Sequence, residues 1–330
     1  MDGHAAGIYG PSAPDAEFQA LVRQTYGGNP AALSALGARL VVGREAPYSP
    51  VDGEALLAEA ARQGEAEAWA YISVLAAAGV GRAQSWDDAF AAIASAHRLG
   101  YPPATAQLDR LREAGITDGG SAAAWVAAAR GSTVCEAPRM TRYPDLLPPS
   151  WCACFRERAA PRLKRAKVYD YRRGVLKEDP MRTNTGAPFS LIETDLLIQL
   201  VRARIAHAAQ VAVAALEPFE VLRYFIGEHY TYHIDYFHSE LPNFRDLVAV
   251  KGQRVKTCLV YLNDDYDGGE TDFPKAGVRF RGRTGEALFF DNVLPDGSGN
   301  VNTLHAGLAP VSGEKWLLSQ WIRDRPQRVA

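Results

Sequence analysis

The feature that most restricts the fold lies between residues 220 and 322, where β-branched and aromatic runs of four to nine residues alternate with tight turns. The runs are Glu220–Tyr224, Tyr230–Tyr236, Val255–Asn263, Val278–Arg281, Ala287–Asp291, Asn302–Ala306 and Lys315–Ile322. Between them stand turn formers such as Asp267-Gly268-Gly269, Arg281-Gly282-Arg283 and Pro295-Asp296-Gly297. Many short strands punctuated in this way predict a sandwich or jelly roll. There is no βαβ alternation and no glycine-rich phosphate fingerprint, which argues against the nucleotide-binding folds.

Upstream the pattern changes. Leu191 to Ala209 carries Leu196, Leu197, Leu200, Val201 and Ile205 near helical spacing and predicts one amphipathic helix. Residues 131 to 161 hold Pro138, Pro144, Pro148, Pro149 and Pro161 with few periodic apolar positions, which predicts an irregular connector. From Ala31 to Gly115 the chain is alanine-rich and repeats at a spacing of 36, with Ala60 on Ala96, Arg62 on Arg98, Gly64 on Gly100 and Ala68 on Ala104. Such a period signals stacked helical hairpins, although an alanine-rich bundle without repeats would look similar. A chain of 330 residues suits two domains. The expectation is an α+β protein: a helical repeat domain over 1–130, a linker over 131–164, and a jelly-roll domain with supporting helices over 165–330.

Composition excludes several classes. Apolar residues at 47% and charged residues at 22% fit a soluble globular protein. A formal charge of -2 gives no footprint for nucleic acid, and the basic run from Arg156 to Arg173 reads as a solvated face. No apolar run approaches the ~18 residues of a membrane span. Met1 to Pro11 lacks the basic and apolar regions of a secretion signal. Four cysteines, Cys135, Cys152, Cys154 and Cys258, are too few for a disulfide scaffold. The expected location is cytoplasmic.

The chemistry starts in Tyr230-Thr231-Tyr232-His233-Ile234-Asp235-Tyr236. In a strand, residues i and i+2 face the same side, so His233 and Asp235 offer an imidazole nitrogen and a carboxylate oxygen together. His305 sits in a later strand that a jelly roll returns beside the first. Two histidines and one carboxylate leave one face of a metal open, the arrangement of non-haem iron(II) oxygenases. Lys315, ten residues after His305, supplies a fixed cation for the far carboxylate of a co-substrate such as 2-oxoglutarate. His229 lies four residues before His233, but the strand-like segment between them and the lack of a glutamate after His229 disfavour a zinc helix. His238 falls in a loop. Zinc hydrolysis is the alternative use of the same ligands.

From Arg182 to Arg323 the sequence resembles the prolyl 4-hydroxylase branch of the 2-oxoglutarate- and iron(II)-dependent dioxygenases. The matching segments, in order, are Leu222 to Tyr230, His233-Ile234-Asp235, Gly268 to Pro274, Gly285 to Asn292, His305-Ala306-Gly307 and Gly313 to Trp316. The resemblance implies a double-stranded β-helix, iron on His233, Asp235 and His305, and 2-oxoglutarate on Lys315 with Tyr224 and Thr257. It places Tyr230 and Trp321 on the substrate side, where ordinary core packing would also account for them.

Two departures, Phe290-Asp291 before the asparagine and Glu270 in the Gly-Gly-x-Thr motif, add acid near the expected mouth. The implied reaction uses dioxygen and 2-oxoglutarate, with ascorbate in support, and releases succinate and carbon dioxide. The implied substrate is a proline ring in a peptide or protein; a free amino acid such as proline or pipecolate, or another small molecule, is the alternative. A scaffold with a relic barrel is a third reading, opposed by the intact His233, Asp235, His305 and Lys315. Ala58 to Ala68 resembles the Sel1-like branch of the tetratricopeptide repeats, which implies protein contacts through the helices. The segment from Phe237 to Gly252 is expected as a loop that closes over substrate or serves as a plain surface connection.

Overall fold

A computed structural model describes residues 14–170 and 175–327, so the amino-terminal segment Met1 to Pro11 and the end of the basic run near Arg173 lie outside the described residues. The chain divides into two compact units. One holds the described residues up to Ala128 together with Phe189–Arg204, and the other holds Ala129–Pro188 and Ile205–Gln327. Among the described residues no helix is long and apolar enough to cross a membrane.

The first unit contains α1 (Ala16–Thr25), α2 (Pro30–Val42), α3 (Pro50–Arg62), α4 (Ala66–Ala78), α5 (Trp86–Arg98), α6 (Pro102–Glu113) and α7 (Gly119–Ala127). Two helix pairs repeat, α2 with α3 and α4 with α5, and α6 continues the series while α7 packs on α5. The 36-residue spacing in the sequence aligns the end of α3 and start of α4 with the end of α5 and start of α6. The period shows best in the backbone, where Gly28, Gly64 and Gly100 have φ of 72°, 92° and 80°, and Gly43, Gly79 and Gly115 have 68°, 68° and 73°. Only glycine adopts these left-handed angles without penalty, so these two positions per unit mark the ends of both helices. Ser49 N donates to Leu40 O and Ser85 N to Ala76 O, each at 2.9 Å, closing successive turns alike. This is a helical repeat with a period of 36 residues.

Val41, Leu57, Ala60, Ala68 and Leu75 are among the residues of the helical core. At one point α2 and α3 touch backbone to backbone: a Cβ on Gly53 would lie 2.7 Å from Gly37 O and 2.9 Å from Val41 N. Gly53→Val is therefore expected to lower the stability of this unit by about 1–3 kcal/mol, through overpacking that neither backbone can relieve. A urea titration followed by circular dichroism, with an unchanged midpoint, would refute that close packing.

The second unit contains β1 (Ser132–Glu136), β2 (Arg139–Tyr143), α8 (Pro149–Ala159), β3 (Lys164–Arg165), β4 (Val168–Asp170), β5 (Val175–Lys177) and β6 (Thr185–Phe189). Helix α9 (Leu196–Ala209) follows, its first part grouped with the helical unit, and then β7 (Phe219–Tyr224), β8 (Tyr230–His233) and α10 (Pro242–Lys251). The remaining strands are β9 (Arg254–Tyr261), β10 (Asp267–Gly268), β11 (Thr271–Phe273), β12 (Val278–Phe280), β13 (Ala287–Asp291), β14 (His305–Gly307), β15 (Pro310–Ser312) and β16 (Lys315–Arg323). An eight-stranded sheet runs β1-β2-β13-β9-β16-β7-β6-β3, and a four-stranded sheet runs β12-β11-β14-β8. Phe273 of the smaller sheet packs with Leu259, Leu288 and Phe290 of the larger one, so the two sheets share a core. This is the double-stranded β-helix.

Three expectations change. Residues 131–164 are not an irregular linker: β1 and β2 extend the large sheet, with Met140 opposite Phe290. Their outward faces are exposed, which weakened the apolar pattern. The segment from Phe237 to Gly252 contains helix α10 and is not a bare loop. The strand expected over Asn302–Ala306 begins as a 3-10 turn at Val301–Thr303 and becomes strand only at His305.

Candidate active site

His233 ends β8 and stands directly opposite His305 of β14 in the antiparallel register. Asp235 follows in a bend, two residues past the strand, and still meets both rings. His233 Nε2 lies 3.6 Å from Asp235 Oδ1, and His305 Nε2 lies 3.8 Å from Asp235 Oδ2. One donor atom from each of the three side chains lies within 4.8 Å of the others.

The rings are held in a metal-ready state. His233 Nδ1 is 2.8 Å from Thr231 O and His305 Nδ1 is 2.9 Å from Thr303 O. A carbonyl only accepts, so each Nδ1 carries the proton and each Nε2 keeps its lone pair. Burial pushes the His305 imidazole down to about 4, which keeps it neutral at physiological pH. For Asp235 burial acts to raise the pKa, but His305 and His233 outweigh it and hold the carboxyl well below the usual range. Two neutral imidazoles and one carboxylate with converging atoms fit a divalent metal. His229 and His238 stand apart, near Gly227 O at 3.3 Å and Glu240 at 2.8 Å.

A cavity opens beside the three ligands. Lys315, fully buried, lines it and donates to Gly269 O at 2.6 Å. Burial pushes its ammonium down to about 7, opposed by the carboxylate of Glu270. Tyr224 faces Lys315 across β7 and β16, with the ammonium 5.4 Å from its ring. Thr271 lines the same cavity and shares a 2.8 Å hydrogen bond with the Tyr261 hydroxyl.

Tyr230 and Trp321 line it too. Tyr230 stacks on His233 with centroids 3.5 Å apart, and the Arg254 guanidinium lies 4.0 Å from the Trp321 ring. Arg254 is itself held by Glu217 at 2.6 and 2.8 Å. Arg182 is a further lining residue: its Nε donates to Asn184 at 3.2 Å, while its buried Nη2 has no hydrogen-bond partner among the described residues.

The remaining expected residues sit elsewhere. Thr257 shares a strand face with Leu259, which lines the cavity, yet Asp235 covers it and takes its hydroxyl at 2.7 Å. Thr257 thus backs the metal site, and Thr271 lines the space expected of it. Asp291 is ion-paired with Lys256, and neither it nor Glu270 is among the lining residues. Thr271 was already legible inside the Gly-Gly-Glu-Thr motif. Arg182, in a long connection before β6, had no local signal.

Residues 219–323 match the model of the 2OG-Fe(II) oxygenase superfamily. Prolyl 4-hydroxylase 1 of Arabidopsis thaliana is 33% identical over 202 residues, covering 57% of this chain and 70% of that protein. Prolyl 4-hydroxylase subunit alpha-1 of Gallus gallus is 31% identical over 193 residues, covering 58% of this chain. The chain spans only 37% of that relative's length. The crystal structure of a Sel1 repeat protein from Oxalobacter formigenes is a structural neighbour at 27% identity and a TM-score of 0.26, covering 28% of this chain and 26% of that one. The chain belongs to the prolyl 4-hydroxylase family of 2OG-Fe(II) oxygenases, which pair an iron(II) cofactor with 2-oxoglutarate and dioxygen.

Proposed function

We propose that the protein hydroxylates a proline ring within a peptide or protein, converting 2-oxoglutarate and dioxygen to succinate and carbon dioxide. The observation that carries this reading is one cavity in which three converging metal donors and a buried lysine are lined together. Iron with 2-oxoglutarate supplies the oxidising chemistry, leaving one oxygen atom of dioxygen in the substrate and one in succinate. The chain's own residues do the rest. His233, Asp235 and His305 hold the metal, and Lys315 pairs with the distal carboxylate with Tyr224 and Thr271 alongside. Tyr230 and Trp321 offer flat apolar walls to a pyrrolidine ring. Ascorbate would support turnover by keeping the iron reduced.

A peptide substrate is supported by the relatives' names, all prolyl 4-hydroxylases. Arg182 supports a second reading, because its unpartnered Nη2 could pair with the carboxylate of a free amino acid such as proline or pipecolate. Mass spectrometry after incubation with iron(II), ascorbate and 2-oxoglutarate separates the two. The expected result is a gain of one oxygen on a proline-containing peptide and none on free proline or pipecolate. The reverse pattern would replace the first reading by the second. The helical repeats are read as a surface for protein contacts, and the setting as cytoplasmic, in keeping with four free cysteines.

A further inference from the structure

Asp235 is the one anionic member of the ligand set, and its carboxylate is tied from behind. Oδ2 accepts from Thr257 Oγ1 at 2.7 Å, and Thr257 Oγ1 accepts from Asn292 Nδ2 at 2.9 Å. Proton count forces the direction of this chain. An ionised carboxylate only accepts, so the single hydroxyl proton of Thr257 is committed to it. The threonine oxygen can then only accept, so Asn292 must turn its amino group inward.

The supports are rigid. Thr257 lies inside the large sheet, opposite Phe290 of β13 and Trp321 of β16. The Asn292 backbone is clamped on both sides, donating to Val255 O and accepting from Asn300 N, each at 2.9 Å. Asp235, Thr257 and Asn292 are 6%, 1% and 0% exposed, so bulk water is kept from replacing either bond. The Asn292 side chain is also poorly served as a core residue: its buried Oδ1 has no hydrogen-bond partner among the described residues. For packing alone, an alkyl side chain of that size would cost less than a half-satisfied amide. The amide is explained by the proton it gives to Thr257.

We propose that Thr257 and Asn292 are positioning residues that fix the rotation of the Asp235 carboxylate and so set the affinity of the site for its metal ion. The proposal rests on reading His233, Asp235 and His305 as a metal centre. Tying back Oδ2 leaves Oδ1, the oxygen nearer His233 Nε2, for the metal. A carboxylate held in advance need not reorganise when the ion arrives. Outer hydrogen-bond partners of this kind commonly set metal affinity within one or two orders of magnitude.

The test titrates redox-stable Co(II) into the full chain, read by calorimetry and by its visible spectrum, with the melting temperature of each metal-free variant recorded alongside. Thr257→Val should bind Co(II) about 10- to 100-fold more weakly, and Thr257→Ser, which restores the hydroxyl, should return to within about threefold of the parent. Asn292→Ala should weaken binding about threefold to tenfold when Thr257 is present and add nothing in the Thr257→Val background. A purely structural Asn292 would lower the melting temperature in both backgrounds without making its metal effect depend on Thr257. Parent-like binding by Thr257→Val, or an equal Asn292 effect in both backgrounds, overturns the proposal while leaving the metal centre standing. A parent protein that binds no Co(II) overturns the metal centre itself.

Discussion

Asp235→Ala is expected to abolish 2-oxoglutarate-dependent turnover and to weaken metal binding by on the order of a hundredfold or more, exceeding the effect of any outer partner. Two reasons combine. The substitution removes the one negative charge facing the ion, and it leaves two neutral imidazoles that fill only two coordination positions. His233→Ala should be similarly severe, because it removes the donor that the Thr231 carbonyl orients. The measurement is 2-oxoglutarate consumption beside Co(II) titration on the same preparations. Normal hydroxylation by Asp235→Ala would refute the assignment of the ligands.

Lys315→Met should raise the Kd for 2-oxoglutarate by on the order of a hundredfold, the cost of losing a buried charge-assisted hydrogen bond. At saturating co-substrate kcat should change far less, because the ammonium pairs with the end of the molecule away from the metal. The same substitution should stabilise the co-substrate-free protein at and below neutral pH. Burial holds the Lys315 pKa near 7 against an ordinary value of 10.5, so folding works against the charged form there. The sign follows from proton binding: between about 7 and 10.5 the unfolded chain binds more protons at this residue than the folded one, so its penalty on stability fades as pH rises.

The same depressed pKa makes co-substrate binding pH-dependent. Below about 7 the free enzyme already carries the ammonium, and affinity should be flat. Above it, binding must take up a proton, and Kd should rise about tenfold per pH unit until the pKa of the complex is reached. Calorimetry at pH 8 in buffers of different ionisation enthalpy should register uptake approaching one proton, and the Lys315→Met variant none. A pH-independent Kd in the parent protein would rule out Lys315 as the partner of the distal carboxylate.

Much of this site is readable along the chain because its central residues sit in short strands with their own local signals. His233 and Asp235 are two apart in an aromatic run, and Lys315 follows His305 by ten residues, so spacing alone marks them as donors and cation, although Asp235 lies in a bend past β8 and not in the expected strand. The 36-residue period was likewise visible at Gly64 and Gly100, and the left-handed φ of Gly28 and Gly43 extends it one unit earlier.

The misreadings share a cause. Thr257 has the right face for the cavity, but whether it reaches the cavity or the back of Asp235 depends on what covers it. Asp291 was expected at the substrate mouth and pairs with Lys256 on the neighbouring strand, a contact set by sheet register. The edge strand β1 and its neighbour β2 carried too little apolar alternation to be distinguished from a connector.

The sequence by itself determined which chemistry was available: the ligand types, their two-residue spacing, the lysine, and the strand and helix periods that put them on opposite halves of the chain. Only the tertiary structure decided that Arg182, which carries an unpartnered nitrogen, lines the cavity, that Thr271 lines it, and that Asn292 reaches Asp235 through Thr257. Asp235, Thr257 and Asn292 alone are 22 to 57 positions apart along the chain. Such relations depend on which strand lies beside which and in what register, and hydrogen-bond geometry a few ångströms wide cannot be inferred from local periodicity.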